Sequence, residues 1–374
     1  MDTTNLHQKS KPIKILYCID SLLRGGTELQ LTGLIERLDP EEFQPYLLTI
    51  RATDVTLTPG NCEHLAWDVP KLFNGSGIKA ILQLARWLKR EEIDIVQTFF
   101  QDSTIFAGIA AKLAGTPVRI ASCRDLGFWS NRKQRLLMRS VYPLMNAYIC
   151  NADIVREHFI THFGLSAKRA KVLRNGIDVE ALTFVEHTGQ ATHIGIVGNM
   201  TRQVKRTDLF IRAAGIVAVN HPEVTWHIIG DGHLRTELEQ LAKDCNVFDK
   251  IVFAGRVANV ADYLSCLDIG VICSDSEGLS NALLEYLLKG TAAVATAVGG
   301  NVELIDDGTT GLLVPPDDAA ALADALKQLV ENNQLRQTLA RTARTKIERE
   351  YNWEKCLSNH RQLYNELLQK KEGV

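Results

Sequence analysis

Two glutamates eight positions apart mark the stretch of the chain with the clearest chemical potential. Glu277 and Glu285 lie in the segment SDSEGLSNALLEYLLKG, residues 274–290. A strand-like run precedes it, Ser280 can cap a helix, and Gly290 can end that helix. Glu285 then lies inside the helix among leucines, where an unpaired carboxylate is costly. These apolar neighbours favour a ligand-binding role for Glu285 over a solvated surface position.

The start of such a helix is suited to a diphosphate, because its free N–H groups and positive dipole end attract anions. A rise of about 1.5 Å per residue puts Glu285 roughly 7.5 Å from the cap, which suits the hydroxyls of a ribose. Glu277, in the preceding turn, can accept hydrogen bonds from a sugar. One ligand, a nucleotide sugar, would use all three features. The alternative is a turn and helix with two solvated glutamates, since short motifs often match by chance.

Cations that could hold a diphosphate occur earlier in the chain. The segment GNMTRQVKRTD, residues 198–208, follows a strand-like run and supplies Arg202, Lys205 and Arg206. Arginine and lysine can stabilise a departing diphosphate electrostatically. A cation in the first turn of a helix opposes the helix dipole, so an anionic ligand would help to explain the segment. The alternative is a solvated basic helix start.

Short apolar runs that alternate with helical patterns must position these residues. This alternation predicts βαβ units and parallel sheets. The expected strands of the first set are 13–19, 46–50, 94–98, 118–122 and 147–150, and those of the second are 193–198, 225–230, 250–255, 269–274, 292–298 and 311–315. A polar interval at 180–192 separates the sets. We therefore expect an α/β protein of two doubly wound, Rossmann-like domains that face a cleft, where ligands bind at the carboxyl ends of the strands.

The domain limits expected from this rhythm are 1–184 and 185–352. The remaining segment, 353–374, is helical in pattern and carries an apolar stripe that includes Trp353 and Tyr364. Leu322, Leu326 and Leu329 have the spacing of a helix that buries one face.

Composition excludes several classes of protein. The chain has 374 residues, 45% of them apolar and 23% charged, with a formal net charge of -2. These values are typical of a globular protein. A net charge this close to zero does not indicate a protein that binds nucleic acid over its whole surface. The eight cysteines form no C-x-x-C pair, which favours a reducing compartment. The chain start lacks a signal-peptide pattern, and no window approaches about 18 uncharged apolar residues, so we expect a soluble, cytoplasmic protein.

Glycines at two further junctions do not form a dinucleotide fingerprint. Gly25 and Gly26 lie in IDSLLRGGTELQ, between a strand and a helix, and would let the backbone approach a ligand closely. The segment GDGHLR, residues 230–235, begins like G-x-G-x-x-G but has Arg235 at the last position. A dinucleotide site is therefore not expected.

Taken with its flanking segments, the chain resembles the retaining glycosyltransferases of family 4, which have the GT-B fold. The resemblance extends from Lys14 to about Leu368. It rests most on EGLSNALLE, which matches the E-x7-E motif of the family, and on the order of VLRNGID, GNMTRQVKRTD, IIGDGHLRTELEQLA and VGGNVELIDDGTTGLLVPP.

The resemblance implies a role for each matched position. Glu277, Lys205 and Arg202 would be the catalytic residues, and the segment after 352 would pack back on the first domain. Donor binding would use the following residues: Gly25, Gly26, Asn199, Arg202, Lys205, Arg256, Val257, Glu277, Gly278, Leu279, Ser280 and Glu285. Within this set, Arg256 and Val257 would line the base pocket.

The chain departs from the family pattern at two places. Asn199 occupies a position where many members have arginine, which Arg202 would replace. In ASCRDLGFW, Arg124 and Asp125 stand where many members have a cleft histidine. An arginine cannot shuttle a proton near neutral pH, but it could bind an anionic acceptor such as a lipid-linked phosphate. The alternative is a structural Arg124–Asp125 pair.

The expected reaction is transfer of a sugar from a UDP- or GDP-sugar to a glycan or lipid-linked acceptor, with retention and without a metal or other cofactor. Retention follows from the resemblance, since two flanking carboxylates alone also suit a glycosidase. Asp275, Ser276 and Glu277 are only a loose match to a D-x-D metal site. The other functions considered are a nucleotide-sugar epimerase, for which no acid/base pair is evident, and a non-catalytic relative.

A basic segment could bring the protein to a membrane. Residues 130–145, SNRKQRLLMRSVYPLM, mix four basic side chains with leucines and could form an interfacial helix at anionic lipids. We expect a cytoplasmic protein that can associate with the inner face of the membrane during surface polysaccharide or glycolipid synthesis. The alternative is an ordinary surface helix with one basic face.

Overall fold

The first of two parallel sheets is built from the amino-terminal half of the chain. The computed structural model describes residues 11–372 apart from positions 52, 70, 128, 129, 202 and 258. The sheet has seven strands in the order β3-β2-β1-β4-β5-β6-β7. The strands are β1 Ile13–Ile19, β2 Phe43–Thr49, β3 Glu63–Ala66, β4 Ile95–Phe99, β5 Val118–Cys123, β6 Ala147–Cys150 and β7 Ala170–Val172. The central strands are nearly continuous apolar runs, as expected of a sheet covered on both faces.

Helices cover both faces of this sheet. They are α1 Gly26–Glu36, α2 Gly75–Arg90, α3 Gln101–Ala114, α4 Arg132–Val141 and α5 Asp153–Phe163. Helix α1 packs with one face of β1. Helices α2 to α5 lie on the other face, where α3 packs between α2 and α4.

The second sheet is built in the same way from later residues. Its six strands have the order β10-β9-β8-β11-β12-β13. They are β8 His193–Val197, β9 Thr225–Ile229, β10 Ile251–Gly255, β11 Ile269–Ile272, β12 Ala292–Thr296 and β13 Leu312–Val314. The helices between and after them are α6 Thr207–Ala218, α7 Arg235–Asp244, α8 Val260–Leu264, α9 Asn281–Lys289, α10 Asn301–Leu304, α11 Ala319–Glu331 and α12 Asn333–Glu350. Leu322, Leu326 and Leu329 are fully buried on α11.

The last helix, α13 (Trp353–Glu372), returns to the first domain. The Tyr364 hydroxyl donates to Gln97 Oε1 of β4 at 2.6 Å and lies 3.1 Å from the Tyr17 hydroxyl of β1. At the start of α13 the Trp353 ring fills the space beside Gly33 and Gly176, where a methyl group would approach within 2.6 and 2.3 Å. The apolar stripe of this segment therefore belongs to the core of the first domain.

The predicted α/β architecture of two doubly wound domains is confirmed, and each predicted strand run contains a strand. The short strands β3 and β7 were not predicted. In both sheets the strand order reverses beside the first strand, at β1/β4 and at β8/β11. These switch points are where open α/β sheets bind ligands. Among the described residues, no helix combines the length and apolar character needed to cross a membrane.

Candidate active site

Two loops of the second domain meet at its switch point. They follow β8 and β11, which are neighbours in the sheet. Lys205 Nζ, in the loop after β8, donates to Glu277 Oε1, in the turn after β11, at 2.6 Å. The Ser274 hydroxyl donates to the same oxygen, also at 2.6 Å. Glu277 is 9% exposed, and the described residues give its other oxygen, Oε2, no hydrogen bond. The carboxylate is therefore held by one oxygen and can offer the other to a ligand.

Glycines after β12 brace the turn that carries Glu277. The Gly300 amide donates to the Gly278 carbonyl at 2.8 Å. A side chain on Gly299 would lie 1.8 Å from the Glu277 carbonyl, and Gly299 has φ +52°, a conformation that favours glycine. This close backbone packing fixes the turn and explains the VGG sequence.

Helix α9 begins directly after the turn, as its sequence predicts. Ser280 caps it, since its Oγ accepts from the Leu283 amide at 3.3 Å, and Gly290 ends it with φ +88°. The Tyr286 hydroxyl accepts from the Val197 amide of β8 at 2.8 Å, which ties the helix to the sheet. Leu279 is 8% exposed just before the cap. The N–H groups of the first turn thus lie beside Glu277, with that of Leu283 capped by Ser280, and such a helix start can bind an anion.

Glu285 lies further along α9, in the middle of the helix. Its side chain is half-buried among leucines, and no described residue gives it a hydrogen bond or an ion pair. Burial raises the pKa of Glu285 to about 7. A half-buried carboxylate in this state is costly for the free protein and is ready to accept hydrogen bonds from a ligand.

The structure treats differently the three cations that the sequence suggested for binding a diphosphate. Arg202 lies outside the described residues. Lys205 contacts Glu277. Arg206 is held by carboxylates of Asp208, Asp275 and Asp317 at 3.0, 3.0 and 2.6 Å. These partners raise the pKa of Arg206 above its ordinary value. Arg206 is therefore a brace between loops and is not available to a diphosphate, and Asp275 is occupied by that brace.

The other predicted donor-binding residues of the second domain lie at the ends of neighbouring strands. Asn199 is exposed in the turn after β8. Arg256 is exposed after β10, and Val257 packs against the core. Strand β9 separates β10 from β8, so Arg256 and Val257 lie to one side of the Lys205–Glu277 pair.

The first domain reaches α9 through its glycine loop. Gly25 and Gly26 start α1, and the Asn281 amide Nδ2 donates to the Gly26 carbonyl at 3.0 Å. A side chain on Gly26 would lie 3.2 Å from that nitrogen. Asn281 is the first residue of α9. The loop after β1 therefore lies directly against the start of α9.

Arg124 takes part in the same contact between domains. Its guanidinium donates to Asn175 Oδ1 at 2.7 Å, and Asn175 Nδ2 donates to Asn281 Oδ1 at 2.7 Å. Among the described residues no carboxylate forms an ion pair with Arg124, and the Asp125 carboxylate accepts from the Gly127 amide at 2.7 Å. Burial lowers the pKa of Arg124 to about 10. The contact that the structure gives Arg124 is thus with Asn175, and both hypotheses for Arg124 and Asp125, an acceptor site and a structural pair, stay predictions.

Three residues of this site were missed by the sequence predictions: Asn175, Ser274 and Asn281. Each stands in a segment that was already suggestive, next to a predicted site residue or in VLRNGID. Asn175 and Asn281 contact each other across more than a hundred residues of sequence, so no local pattern distinguishes these two from ordinary turn and cap residues. Ser274 donates to Glu277 only three residues further on, but a serine in a turn is too common to be read as a site residue.

Comparison with known proteins matches both halves of the chain. Residues 24–181 match the family model Glycosyltransferase Family 4, and residues 191–332 match the model Glycosyl transferases group 1. A Campylobacter jejuni protein, GalNAc-alpha-(1->4)-GalNAc-alpha-(1->3)-diNAcBac-PP-undecaprenol alpha-1,4-N-acetyl-D-galactosaminyltransferase, is 27% identical over 89% of this chain and 93% of its own length. N-acetyl-alpha-D-glucosaminyl L-malate synthase of Bacillus anthracis is 29% identical, over 45% of this chain and 44% of its own length.

Solved structures share the fold. The crystal structure of Anabaena HepE in complex with UDP and glucose has a TM-score of 0.82, at 18% identity, and covers 95% of this chain and 100% of that chain. This chain shares with that structure two Rossmann-like domains that face a cleft, which is the GT-B fold. With both family models matched in order, the chain belongs to the glycosyltransferases of the family 4 type.

Proposed function

We propose that the protein transfers a sugar from a UDP-sugar to a lipid-linked glycan acceptor, with retention of configuration and without a metal. The observation that carries this proposal is the Lys205–Glu277 contact of 2.6 Å at the start of α9. It places a cation, a carboxylate and free helix N–H groups around one small volume. A sugar diphosphate would use all three.

Each group would have a distinct role in this reaction. The N–H groups of α9 and Lys205 would bind the diphosphate, together with Arg202, and stabilise the charge that develops as it departs. Glu277 would accept hydrogen bonds from hydroxyls of the transferred sugar. Glu285 would bind the ribose, because its carboxylate has no partner among the residues that the structure describes and lies about seven ångströms along the helix from the cap.

Retention would follow from attack on the face that the diphosphate leaves. The bond from the anomeric carbon to the phosphate oxygen breaks, the bond to the acceptor oxygen forms on the same face, and a departing phosphate oxygen takes the acceptor proton. Cations replace a metal in this scheme. Glu277 is held by Lys205 and Ser274, which suits a binding role rather than attack on the anomeric carbon.

The choice of donor and acceptor draws on the relatives. The Anabaena structure contains UDP, and the Campylobacter jejuni relative is named for an undecaprenol-linked acceptor. A lipid-linked acceptor is anchored in a membrane, so the protein would act at the inner face of that membrane. Arg124 would then stand in the cleft near the acceptor, with part of its guanidinium engaged by Asn175.

A thermal-shift panel of UDP, GDP and ADP, each with and without EDTA, tests the donor. A ligand that binds only the folded state raises the melting temperature by mass action. We expect UDP to raise it most, equally in EDTA. No shift with millimolar UDP, or a shift that EDTA abolishes, would contradict the proposed donor or the metal-free site.

A second measurement tests retention. Common UDP-sugars are first compared by the same thermal-shift assay. The one that gives the largest shift is then incubated with the protein, and NMR follows the anomer released by slow hydrolysis at early times. Retention gives first the anomer present in the donor. The opposite anomer at early times would contradict same-face attack.

A further inference from the structure

A cavity opens in the first domain at the edge of the sheet opposite the cleft. Four elements line it, with Asp94 directly before β4, Arg119 in β5, Lys112 in the last turn of α3 and Lys371 in the last turn of α13. Its volume is about 470 Å³, within the range of pockets that bind small molecules. Strand β4 is five residues long, so about 15 Å of strand separates this cavity from the carboxyl ends of the sheet. The cavity is therefore distinct from the active site.

Arg119 brings a buried and only partly satisfied charge to the wall of this cavity. The residue is 8% exposed, its Nε donates to the Leu144 carbonyl at 2.7 Å, and its Nη1 donates to the Thr116 carbonyl at 2.6 Å. Among the described residues Nη2 has no hydrogen-bond partner, and no carboxylate forms an ion pair with the guanidinium. Burial lowers the pKa of Arg119 below its ordinary value. A buried cation in this state is costly unless an anion approaches it.

Two lysines extend the positive charge of the cavity. Lys112 and Lys371 are exposed beside it, on helices that are far apart in sequence. In the part of the chain that the structure describes, neither lysine forms an ion pair. Three cations from three elements thus converge on one volume. Like charges repel each other, so this arrangement favours a ligand that carries more than one negative charge.

The other groups at the cavity suit a ligand with hydroxyls and a carbon skeleton. The Asp94 carboxylate accepts from the Lys14 amide through Oδ2 at 2.8 Å, and no described residue gives its Oδ1 a hydrogen bond. An ionised carboxylate oxygen can only accept, so Oδ1 suits a hydroxyl and not a second anionic oxygen. Pro117 and Leu368 add an apolar part to the wall. A bare inorganic anion would use only the cations.

We infer that this cavity binds a hydroxylated phosphate monoester, the chemical class of the sugar phosphates. The phosphate, which carries close to two negative charges at neutral pH, accepts hydrogen bonds from Arg119 Nη2, Lys112 and Lys371. A hydroxyl of the ligand donates to Asp94, and its carbon skeleton packs on the apolar wall. Bound phosphate also ties the last turn of α13 to β5.

Isothermal titration calorimetry of the full chain with glucose 6-phosphate, in a phosphate-free buffer, tests the inference. We expect glucose 6-phosphate to bind, inorganic phosphate to bind more weakly and glucose not to bind. No binding at about 10 mM glucose 6-phosphate, above the usual micromolar-to-millimolar range of metabolite affinities, would overturn the inference. Equal affinity for inorganic phosphate would overturn the inferred class of ligand.

The active site is a second place where a phosphate could bind, and one variant separates the two. Lys205→Met changes the proposed diphosphate site and leaves the cavity intact, so it should bind glucose 6-phosphate as tightly as the wild type does. Loss of binding in Lys205→Met would place the ligand in the active site and overturn the inference.

Matched variants test the residues of the cavity. Lys112→Gln with Lys371→Gln removes two exposed cations and leaves the backbone contacts of Arg119 intact, so the fold should be kept. The control, Lys168→Gln with Lys370→Gln, makes the same change at exposed positions that do not line the cavity. The cavity variant should bind glucose 6-phosphate about tenfold more weakly than the control, because two ion pairs with the phosphate are lost. Equal affinities would overturn the inference.

A lysine footprint locates the ligand on the unsubstituted chain. Exposed lysines are acetylated with and without saturating glucose 6-phosphate, and mass spectrometry compares the rate at each position. Lys112 and Lys371 should be protected by the ligand, while Lys370, the neighbour of Lys371 on α13, should react at the same rate in both samples. Unchanged rates at Lys112 and Lys371 would overturn the inference.

Discussion

Asn175 of the first domain donates its side-chain amide to the side-chain carbonyl of Asn281 at 2.7 Å, across the cleft. Asn281 in turn donates to the Gly26 carbonyl at 3.0 Å, and Arg124 donates to Asn175. Asn281 is the first residue of α9. This chain of hydrogen bonds therefore links closure of the cleft to the helix start at which we propose that the diphosphate binds. Closing a cleft expels water and completes a catalytic site.

Asn281→Ala should shift the protein toward an open form. The change removes two hydrogen bonds between the domains, each contributing about 1 kcal/mol net, so the open population should rise by roughly 30-fold. Small-angle X-ray scattering with saturating UDP should give a larger radius of gyration than the wild type. The control, Asn365→Ala, changes an exposed residue on α13 and should scatter like the wild type. Identical radii for both variants would show that closure does not depend on Asn281.

Gly278→Ala should oppose closure by a different route. A methyl group at this position would lie 2.0 Å from the Arg124 carbonyl, a backbone atom that cannot move aside cheaply. We expect a larger radius of gyration and loss of transfer, with a melting temperature close to that of the wild type. Gly75→Ala is the control, since a methyl group there meets nothing within 4 Å. A closed, active Gly278→Ala protein would contradict the contact.

Glu285→Gln should stabilise the free protein above neutral pH. The folded-state pKa of Glu285 is raised to about 7 from its ordinary 4.5. Below pH 4.5 both states are protonated, and between pH 4.5 and 7 only the unfolded state loses the proton, so stability falls as pH rises. Glutamine removes this loss, on the order of 2 kcal/mol. The gain in melting temperature should be roughly 4–8 °C at pH 8 and small at pH 5.

The same variant should lose its response to UDP, because Glu285 is the proposed ribose ligand. Glu157→Gln, at an exposed position on α5, is the control and should change neither quantity. A melting temperature for Glu285→Gln at or below that of the wild type at pH 8 would show that the carboxylate has a stabilising partner.

Variants of the Lys205–Glu277 pair should separate sugar binding from diphosphate binding. Glu277→Ala should abolish transfer and keep the fold, since Lys205 is 36% exposed and can be solvated alone. It should also keep the thermal shift with UDP, because UDP lacks the transferred sugar that Glu277 is proposed to bind. Lys205→Met should lose both transfer and the thermal shift with UDP, and transfer should fall about 100- to 1,000-fold. Wild-type transfer by Glu277→Ala would contradict the assignment of the site.

Local patterns predicted most of this fold. Strand β1 and helix α9 were recognised because their apolar period, cap and terminal glycine are contained in the segment itself. Strands β3 and β7 were missed, since EHLA and AKV are short and only partly apolar and gain their strand form from their neighbours in the sheet.

Contacts between residues far apart in sequence were beyond local reasoning. Sequence reasoning grouped Arg206 with Lys205 as equivalent cations, yet Asp317, more than a hundred residues away, occupies Arg206. For Arg124 the sequence suggested an anionic acceptor or a pair with Asp125, and it gave no sign of the contact with Asn175 that the structure shows. Such partners are selected by the tertiary fold, and one sequence alone carries no signal for them.

The return of α13 makes the second domain an insertion within the first. The chain enters it after β7 and leaves it before Trp353, and these two crossings touch, since the Ile177 amide donates to the Tyr351 carbonyl at 2.7 Å. The joint between the domains thus consists of two adjacent crossings of the chain. A fragment that ends near residue 184 would lack Tyr364 and expose the core beneath it. Independent production of the first domain therefore calls for a fusion that joins α13 directly to the end of β7.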